Sequence, residues 1–314
     1  MALLTRNRVL AAKHETTIGT AIAVAGADAT FNAYDVQIQG DIEYNERLGQ
    51  GSFSRLAGTM GKQGGSISFK TGLSGNGAAA SPGWLDTLLP AVGLIEATDT
   101  FSPSSTAPST TVGTGVNHTV TIAAYENGVK KFLAGAMGNL KITGATGQNV
   151  VLEWTFTGIW QAAVDAAILA PTYDTVLPLK FLTATLTMGG DVPGCIQSLS
   201  IDLGNNVVLR ECATSATGYS SAIITDRKVM GTYDPEAHIE ATAPAEYTDW
   251  LAGTEEAFSV ALTDGTDVVT IAMPQAQRVN VQEGDRGGVQ IDTIEFAANA
   301  SAAAGDDEIT IDFS

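Results

Sequence analysis

Residues able to do chemistry are few in this chain and widely spaced. Three histidines, His14, His118 and His238, lie far apart, and none has a second ligand at the short spacing typical of metal sites. The sequence therefore predicts no zinc site. The glycine-rich segment 58–63, GTMGKQ, lacks the spacing and the Ser or Thr of a phosphate-binding loop. Neither G-x-S-x-G nor H-E-x-x-H occurs, which argues against two common hydrolase classes.

Acidic side chains are so numerous that a single pair carries little information. The chain has 34 Asp and Glu residues, and glycosidase chemistry needs two carboxyls held at a defined separation in a cleft. The run 306–308, DDE, lies in no twelve-residue loop with a closing glutamate, so it is interpreted as a solvated turn. We expect no catalytic, cofactor-binding or metal-binding residues. Charged residues near predicted strand ends are interpreted as ion-pairing groups, within or between subunits: Asp202, Arg210, Asp226 and Arg227.

Composition limits the partners that this chain can have. With 314 residues and 44% hydrophobic content, it can bury a substantial core in one large domain or two ordinary ones. Its formal net charge of −18 opposes binding to nucleic-acid phosphates and to anionic lipid. No apolar run is long enough to span a membrane, and the N-terminus lacks the apolar core of a signal peptide. Cys195 and Cys212 could form a cross-strand disulfide or remain free thiols, and the sequence favours free thiols.

Residues 188–237 show the clearest strand pattern. Apolar and polar residues alternate over 196–203, and a second apolar run follows at 207–209. The Gly-Asn-Asn segment 204–206 between them favours a tight reversal, so the pattern predicts a hairpin. A third strand is predicted at 222–225. This stretch is typical of sheet scaffolding with charged residues at the strand ends.

Short helices and one long loop interrupt a chain that is otherwise rich in strand patterns. Segment 82–94 is predicted to be a helix with a proline near its first turn, and Pro90 predicts that it is short or kinked. A second helix is predicted around 246–258, and a further short one at 160–169. Segment 97–118, rich in Ser, Thr and Pro, is predicted to be a long exposed loop.

The two halves of the chain show an internal repeat. Similar residues recur in the same order in both halves. The difference in residue number between corresponding positions, here called the offset, becomes smaller after the Ser/Thr/Pro-rich interval, because the first half has extra residues there. The recurring sets are Val36 and Ile38 with Leu199 and Ile201 (offset 163), Trp84 with Trp250 (offset 166), and Trp154 and Phe156 with Ile294 and Phe296 (offset 140). The pattern predicts a duplicated β-rich unit with one helix per copy.

The repeat divides the chain into parts. The basic start and the small-residue run over 1–30 are interpreted as an extended N-terminal arm. The first domain is placed at 31–170, a linker at 171–178, and the second domain at 179–314. Acidity is unequal, because residues 1–170 carry 10 basic and 12 acidic side chains whereas the remainder carries 6 and 22.

Three segments carry a resemblance to a known family. They are RVLAAKHETTIGTA (8–21), SLSIDLGNNVVLRE (198–211) and TDRKVMGTYDPEA (225–237). Together with the repeat and the β-rich character, they resemble the long, two-domain class of tailed-bacteriophage tail tube proteins. The resemblance spans nearly the whole chain, and it rests on scaffold patterns rather than on reactive groups.

The resemblance implies a mainly β fold of two tandem tail-tube-type β-sandwich or barrel domains, each with one flanking helix. It further implies trimeric rings with pseudo-sixfold symmetry that assemble in the host cytoplasm and stack into the virion tail. Other partners would be the tape measure, terminator and distal tail proteins, with no membrane partner. DNA would pass through the lumen without specific binding, past walls whose acidic or small side chains come chiefly from the second domain. Candidate subunit-contact or scaffold residues are Asn205, Asn206, Arg210, Asp226, Arg227, Asp234 and Glu236.

Two alternative functions remain open from the sequence. Another tube or tail-terminator component would use a related fold, although the duplication disfavours a single-domain secretion-tube protein. A carbohydrate-binding or hydrolytic β-sandwich would need an aromatic-rich cleft with paired carboxylates. The chain has only four tryptophans, and the matching positions of Trp84 and Trp250 predict core roles for both.

Overall fold

The structure of the protein is a computed structural model that describes residues 7–49, 51, 53–110, 115–241 and 244–314. Within these residues the fold is mainly β, as predicted, with short helices in each half. Residues 1–6 of the predicted arm and 111–114 of the predicted loop lie outside the described residues.

The elements follow one another in a similar order in the two halves. In the first half they are β1 (Arg8–His14), β2 (Tyr34–Leu48), β3 (Arg55–Gly72), α1 (Leu85–Leu88), β4 (Leu94–Ala97), β5 (Thr100–Pro103), β6 (Val120–Glu126), β7 (Val129–Ala145), β8 (Val151–Trp160) and β9 (Val164–Asp165). In the second half they are β10 (Thr185–Met188), β11 (Ser198–Asp202), β12 (Asn206–Glu211), β13 (Tyr219–Asp226), β14 (Met230–Tyr233), α2 (Glu246–Ala252), β15 (Glu255–Thr263), β16 (Val268–Arg286), β17 (Val289–Asn299) and β18 (Thr310–Phe313).

One large sheet runs through both halves. Its order is β2-β3-β8-β7-β11-β14-β17-β16-β18-β5-β4, while β12 and β13 form a separate two-stranded sheet. The group β2-β3-β8-β7 is followed directly by the group β11-β14-β17-β16, and the antiparallel pair β7–β11 joins them. We call these the first and second strand units.

The two strand units have matching registers as well as matching order. Residues that the sequence offsets equate occupy equivalent rows of paired positions. The rows are Ile38, Ile67 and Phe156 in the first unit, and Ile201, Gly231 and Phe296 in the second. The offsets 163 and 140 thus both relate a residue of the first unit to the residue at the same sheet position in the second unit.

Alternating side chains from both units build the core on one face of the sheet. In the first unit the aromatic rings of Phe69, Trp154 and Phe156 stack with centroids 6.0–6.3 Å apart. In the second half the ring centroids of Phe258 on β15 and Phe296 on β17 are 4.6 Å apart. All five side chains are buried, so each half contributes an aromatic cluster to one continuous core.

The predicted hairpin over 196–209 is wrong in its pairing, although both strands exist. β11 pairs on one edge with β7 and on the other with β14, so no edge remains for β12, which pairs with β13. Gly204 has a φ of 62°, and a Cβ there would lie 2.2 Å from the carbonyl oxygen of Lys228. The segment 204–206 is therefore a break within one arm of a longer hairpin, whose two arms are β11–β12 and β13–β14.

The predicted N-terminal arm is corrected over the part that the structure describes. β1 pairs with β6 along its whole length, and its side chains from Val9 to Ala12 are buried. The apolar run VLAA makes this segment a core strand, because its burial removes apolar surface from water. The predicted linker 171–178 has no regular secondary structure, but the amide nitrogens of Thr172 and Asp174 donate to the carbonyl oxygens of Ala29 and Thr30.

The helix predictions succeed at two places and fail at the third. Segment 82–94 contains α1 followed by a 3-10 turn at Pro90–Val92, as expected for a helix interrupted by proline. α2 confirms the second helix but ends at Ala252, with Gly253 in a left-handed conformation. Segment 160–169 is not helical and includes the short strand β9.

The loop, tryptophan and cysteine predictions meet different outcomes. The predicted exposed loop 97–118 contains β5 and ends in the buried residues Asn117 and His118, so it is exposed only in part. Trp84 is buried as predicted, whereas Trp250 is 38% exposed, so its predicted core role is wrong. Both cysteines are free thiols.

Candidate functional site

The structure brings together two of the histidines that the sequence separates. The ring centroids of His14 and His118 are 4.4 Å apart, and Nε2 of His14 is 2.9 Å from the carbonyl oxygen of Thr87. Burial, followed by the neighbouring His118, lowers the pKa of His14 from 6.5 to about 4, which keeps its ring neutral near neutral pH. The described residues contain no group of three or more His, Cys, Asp and Glu able to hold a metal ion. This contact therefore belongs to the packing of β1.

Two buried charged groups were missed by the sequence predictions. The Glu15 carboxylate is fully buried next to β1 and accepts hydrogen bonds from distant parts of the first half. Arg278 on β16 is 2% exposed and pairs with Glu246 on α2 and Glu256 on β15. No local motif marks either cluster, because the partners are far apart in sequence. The hydrogen bonds to Glu15 and the ion pairs of Arg278 indicate structural roles for both groups.

The candidate residues around the break in the second hairpin differ in their contacts. Asn205 is anchored, because its Nδ2 donates to the carbonyl oxygens of Val92 (2.7 Å) and Gly138 (3.1 Å). Asn206 is exposed, and its Nδ2 donates to Oγ1 of Thr225 across the β12–β13 pair at 3.0 Å. Arg210 is also exposed. Asn205 thus acts as scaffold, whereas Arg210 remains accessible.

Asp226 and Arg227 lie side by side but face different surroundings. Asp226 is exposed and accepts a hydrogen bond from the backbone N–H of Arg227. The Arg227 side chain is only 8% exposed and pairs with Asp306 at 3.1 Å and with Glu308 at 2.7 Å. It also donates to the carbonyl oxygen of Gly93. Arg227 thus ties three segments of one chain together.

Asp234 and Glu236 also make contacts within the chain. Oδ1 of Asp234 accepts from the backbone N–H groups of Gln197 and Ser198, and its carboxylate pairs with Arg286 at 3.3 Å. Glu236 forms an isolated bridge with Ile291. These residues hold the start of β11, the end of β16 and the start of β17 against the segment that follows β14.

Several edges of the sheet are open within the residues that the structure describes, and two of them bound the joined strand units. β2 pairs only with β3, and the last part of β16, from Arg278 to Arg286, pairs only with β17. Side chains along β2 are mostly exposed, including the apolar Ile42 (45%) and Tyr44 (55%). Unpaired backbone donors and acceptors next to apolar side chains form a surface suited to strand addition.

Comparison with known proteins gives this surface a context. The sequence model of a family described as phage tail tube protein matches residues 5–314. The chain belongs to this family. No match was found among curated proteins. For a tail tube protein, whose role is structural, the relevant site is an assembly surface, and the open edges of β2 and β16 are the strongest candidates for it.

The sheet face opposite the core is a second feature relevant to a tail tube protein. It carries mostly small polar side chains along the central rows, such as Ser68, Thr155, Thr143, Ser200 and Thr232. Its charged side chains in those rows are Lys70, Glu153, Lys141, Asp202 and Glu295. Lys70 pairs with Glu153 at 2.9 Å. The first unit therefore supplies both signs, whereas the second unit supplies acids. In the described part of this tail tube protein, no helix combines the length and apolarity needed for a membrane span.

Proposed function

We propose that this chain assembles with copies of itself into stacked rings that form the tail tube, an acidic-walled conduit for DNA delivery into the host cell. The observation that carries the proposal is the open edge at each end of two strand units already joined through β7 and β11. An exposed edge is an aggregation liability, and closure through neighbours removes it. Two units per chain and three chains per ring give a trimer with pseudo-sixfold symmetry.

The proposed role includes the other parts of the tail. Rings assembled in the host cytoplasm would stack in the virion and meet the tape measure, terminator and distal tail proteins. The exposed Arg210 and Asp226 are candidates for contacts between copies. Asn205, Arg227 and Asp234 support such contacts from within, because their side chains already bind groups of their own chain.

A carbohydrate-binding or hydrolytic function has weaker support. It would use exposed aromatic side chains in a cleft with paired carboxylates. Trp84 and Trp154 are buried, and Trp160 packs against the core. The acidic pair Glu246 and Glu256 is bound by Arg278, so these two carboxylates are engaged in ion pairs.

Electron microscopy of the purified chain tests the proposed assembly. We expect negative-stain images to show rings or hollow tubes, because copies that meet through their open edges satisfy the backbone groups left unpaired in one chain. Rings seen end-on should show three repeats and a weaker sixfold modulation. Images that show only monomers, even when the purified chain is highly concentrated, would contradict the proposal.

The charge of the open sheet face is expected to control DNA passage. We propose that this face lines the lumen, where the acids that the second unit supplies repel the DNA backbone, since phosphate contacts with basic side chains would slow passage. Phage carrying Glu295→Lys, Ser200→Lys and Thr293→Lys together should assemble normal tails but release DNA roughly several-fold more slowly, with recovery at high salt. The matched control replaces the same residues by Gln. Unchanged release in the lysine variant would refute the electrostatic role.

A further inference from the structure

We propose that β16 of one copy pairs antiparallel with β2 of the next copy in one defined register, with Gln282 opposite Gln39. We further propose that the outer part of the first hairpin, residues 42–49 and 53–60, then lies over the second strand unit of that neighbouring copy. This inference rests on the proposed ring assembly and specifies the contact that would build it. Its basis is the junction between the two units within the chain.

The internal junction shows what such a contact looks like. β7 and β11 are antiparallel, with Lys141 opposite Asp202. At the two ends of the ladder, the N–H of Leu203 donates to the carbonyl oxygen of Leu140 at 3.0 Å, and the N–H of Thr146 donates to the carbonyl oxygen of Gln197 at 2.8 Å. Hydrogen-bonded and non-hydrogen-bonded pairs alternate in an antiparallel ladder, so Lys141 and Asp202 form a non-hydrogen-bonded pair.

The first strands of the two units, β2 and β11, correspond to each other at the offset of 163. Ile38 lies opposite Ile67 as Ile201 lies opposite Gly231, so the position of Asp202 in the second unit corresponds to Gln39 in the first. Gln39 is exposed on the open edge.

The last strands of the two units, β7 and β16, correspond to each other through the strands that they pair with, β8 and β17. Leu140 lies opposite Trp154, and Val281 lies opposite Ile294. Because Trp154 and Ile294 correspond at offset 140, Val281 takes the place of Leu140. A bulge between Arg278 and Asn280 shifts β16 by one residue relative to β7, so Lys141 corresponds to Gln282.

The combined register is therefore specific. Residues 37–40 of one copy run antiparallel to residues 281–284 of the next, with Gly40 opposite Val281 and Gln39 opposite Gln282. Ile38 packs against the core, and Val281 is buried on the same face. A slip by one residue would turn these side chains to opposite faces of the joined sheet, so the pattern resists it.

The outer part of the second hairpin shows the other half of the contact. β12 and β13 fold over the open face of the first unit, where Lys62 pairs with Glu211 at 2.7 Å. The N–H of Gln63 donates to the carbonyl oxygen of Thr217 at 3.0 Å. A Cβ on Gly64 would lie 2.9 Å from Leu209, so the two layers are in close contact there. The second hairpin thus covers part of the first unit through β12 and β13, while its strand β11 pairs with that unit through β7.

The corresponding part of the first hairpin leaves apolar side chains exposed. Ile42, Tyr44 and Met60 have exposed fractions of 45%, 55% and 67%. In the inferred register Ile42 occupies the place of Asn205 and faces Val279, the bulge residue of β16, which is 41% exposed. Two exposed apolar side chains from separate surfaces then bury each other, which favours the same register independently of the backbone pairing.

Disulfide trapping tests this register. In a background of Cys195→Ser and Cys212→Ser, Gln39→Cys and Gln282→Cys are introduced together, because cysteines at a non-hydrogen-bonded pair meet disulfide geometry best. After assembly and mild oxidation, non-reducing gels should show covalent dimers and trimers from most of the chain. Mixing separate Gln39→Cys and Gln282→Cys chains should give dimers only. The matched internal control, Lys141→Cys with Asp202→Cys, should form its disulfide without linking chains.

Other outcomes separate this inference from the proposed function. Tubes that cross-link better through Gln39→Cys with Gly284→Cys would show that assembly occurs in a different register and would overturn the inference alone. Dimers of the Gln39→Cys chain by itself would indicate that two copies of β2 pair with each other, which also overturns it. Absence of rings and tubes for the unmodified chain would overturn the proposed function and the inference together.

Discussion

Replacing Arg278 by methionine is expected to lower the free energy of unfolding by about 3–5 kcal/mol, because the change leaves buried carboxylates without their counter-ion. Nε of Arg278 pairs with Glu246, and its Nη1 lies 2.7 Å from Glu256 and 3.8 Å from Asp249. The arginine therefore fastens α2 and β15 to β16. Its loss should also loosen the helix.

The surroundings of Arg278 explain why the expected effect is large. Burial opposes its charge, but Glu246 and Glu256 outweigh burial and raise the pKa of Arg278. Burial raises the pKa of Glu246, an effect that Arg278 opposes. Tyr233 adds a 3.4 Å hydrogen bond to Glu246, and burial raises the pKa of this tyrosine, which keeps it protonated as a donor. The charge of Arg278, the carboxylate of Glu246 and the hydroxyl of Tyr233 therefore stabilise one another in this buried cluster.

Urea denaturation of the unassembled chain measures the effect. The control Arg210→Met removes the same charge from an exposed site and should change the stability by less than about 0.5 kcal/mol. The double variant Arg278→Met with Glu246→Gln should regain part of the loss, since it removes one unpaired buried charge. A loss below about 1 kcal/mol in Arg278→Met would show that the cluster is not a structural anchor.

The sequence is most informative where one element follows a simple periodicity. Alternation located β11, and the repeat offsets matched residues that occupy equivalent rows of the sheet. Pro90 correctly indicated that the helix α1 is short, and the structure continues it as a 3-10 turn. The division into domains at 31–170 and 179–314 remains a prediction, because the two units share one sheet and one core.

The sequence was misleading where long-range pairing decides between local alternatives. The segment 204–206 has the composition of a hairpin turn, but β7 and β14 occupy both edges of β11, so the chain continues into β12. An isolated strand pattern does not show which partner takes each edge. Arg278 was similarly hidden, since its carboxylate partners lie on elements that only the fold brings together.

The difference between the two hairpins is what gives the repeat its functional meaning. The outer part of the second hairpin packs on the first unit, whereas that of the first hairpin leaves Ile42, Tyr44 and Met60 exposed. In the proposed assembly one of these contacts is made within the chain and the other between chains. That assembly would cover the exposed apolar residues.

Glu15 anchors the N-terminal strand in a similar way, through hydrogen bonds instead of ion pairs. Its carboxylate accepts from the N–H of Gly19 (2.9 Å), the hydroxyls of Thr119 (2.7 Å) and Thr121 (2.8 Å), and the N–H of Gly135 (2.7 Å). Gly135 lies in a bulge of β7 between Ala134 and Met137, where no strand residue pairs with it. Glu15 thus satisfies a donor that the sheet leaves unpaired.

We expect Glu15→Ala to lower the free energy of unfolding by about 4 kcal/mol or more, because three buried donors lose their acceptor at about 1–3 kcal/mol each, and the half-buried N–H of Gly19 loses it as well. Glu15→Gln keeps one acceptor oxygen and should cost roughly half as much. Urea denaturation measures both, with the exposed neighbour Thr16→Ala as a control within about 0.5 kcal/mol. Amide exchange should also speed up at Gly135. A Glu15→Ala chain as stable as the Thr16→Ala control would show that β1 is held by its apolar side chains and its pairing with β6 alone.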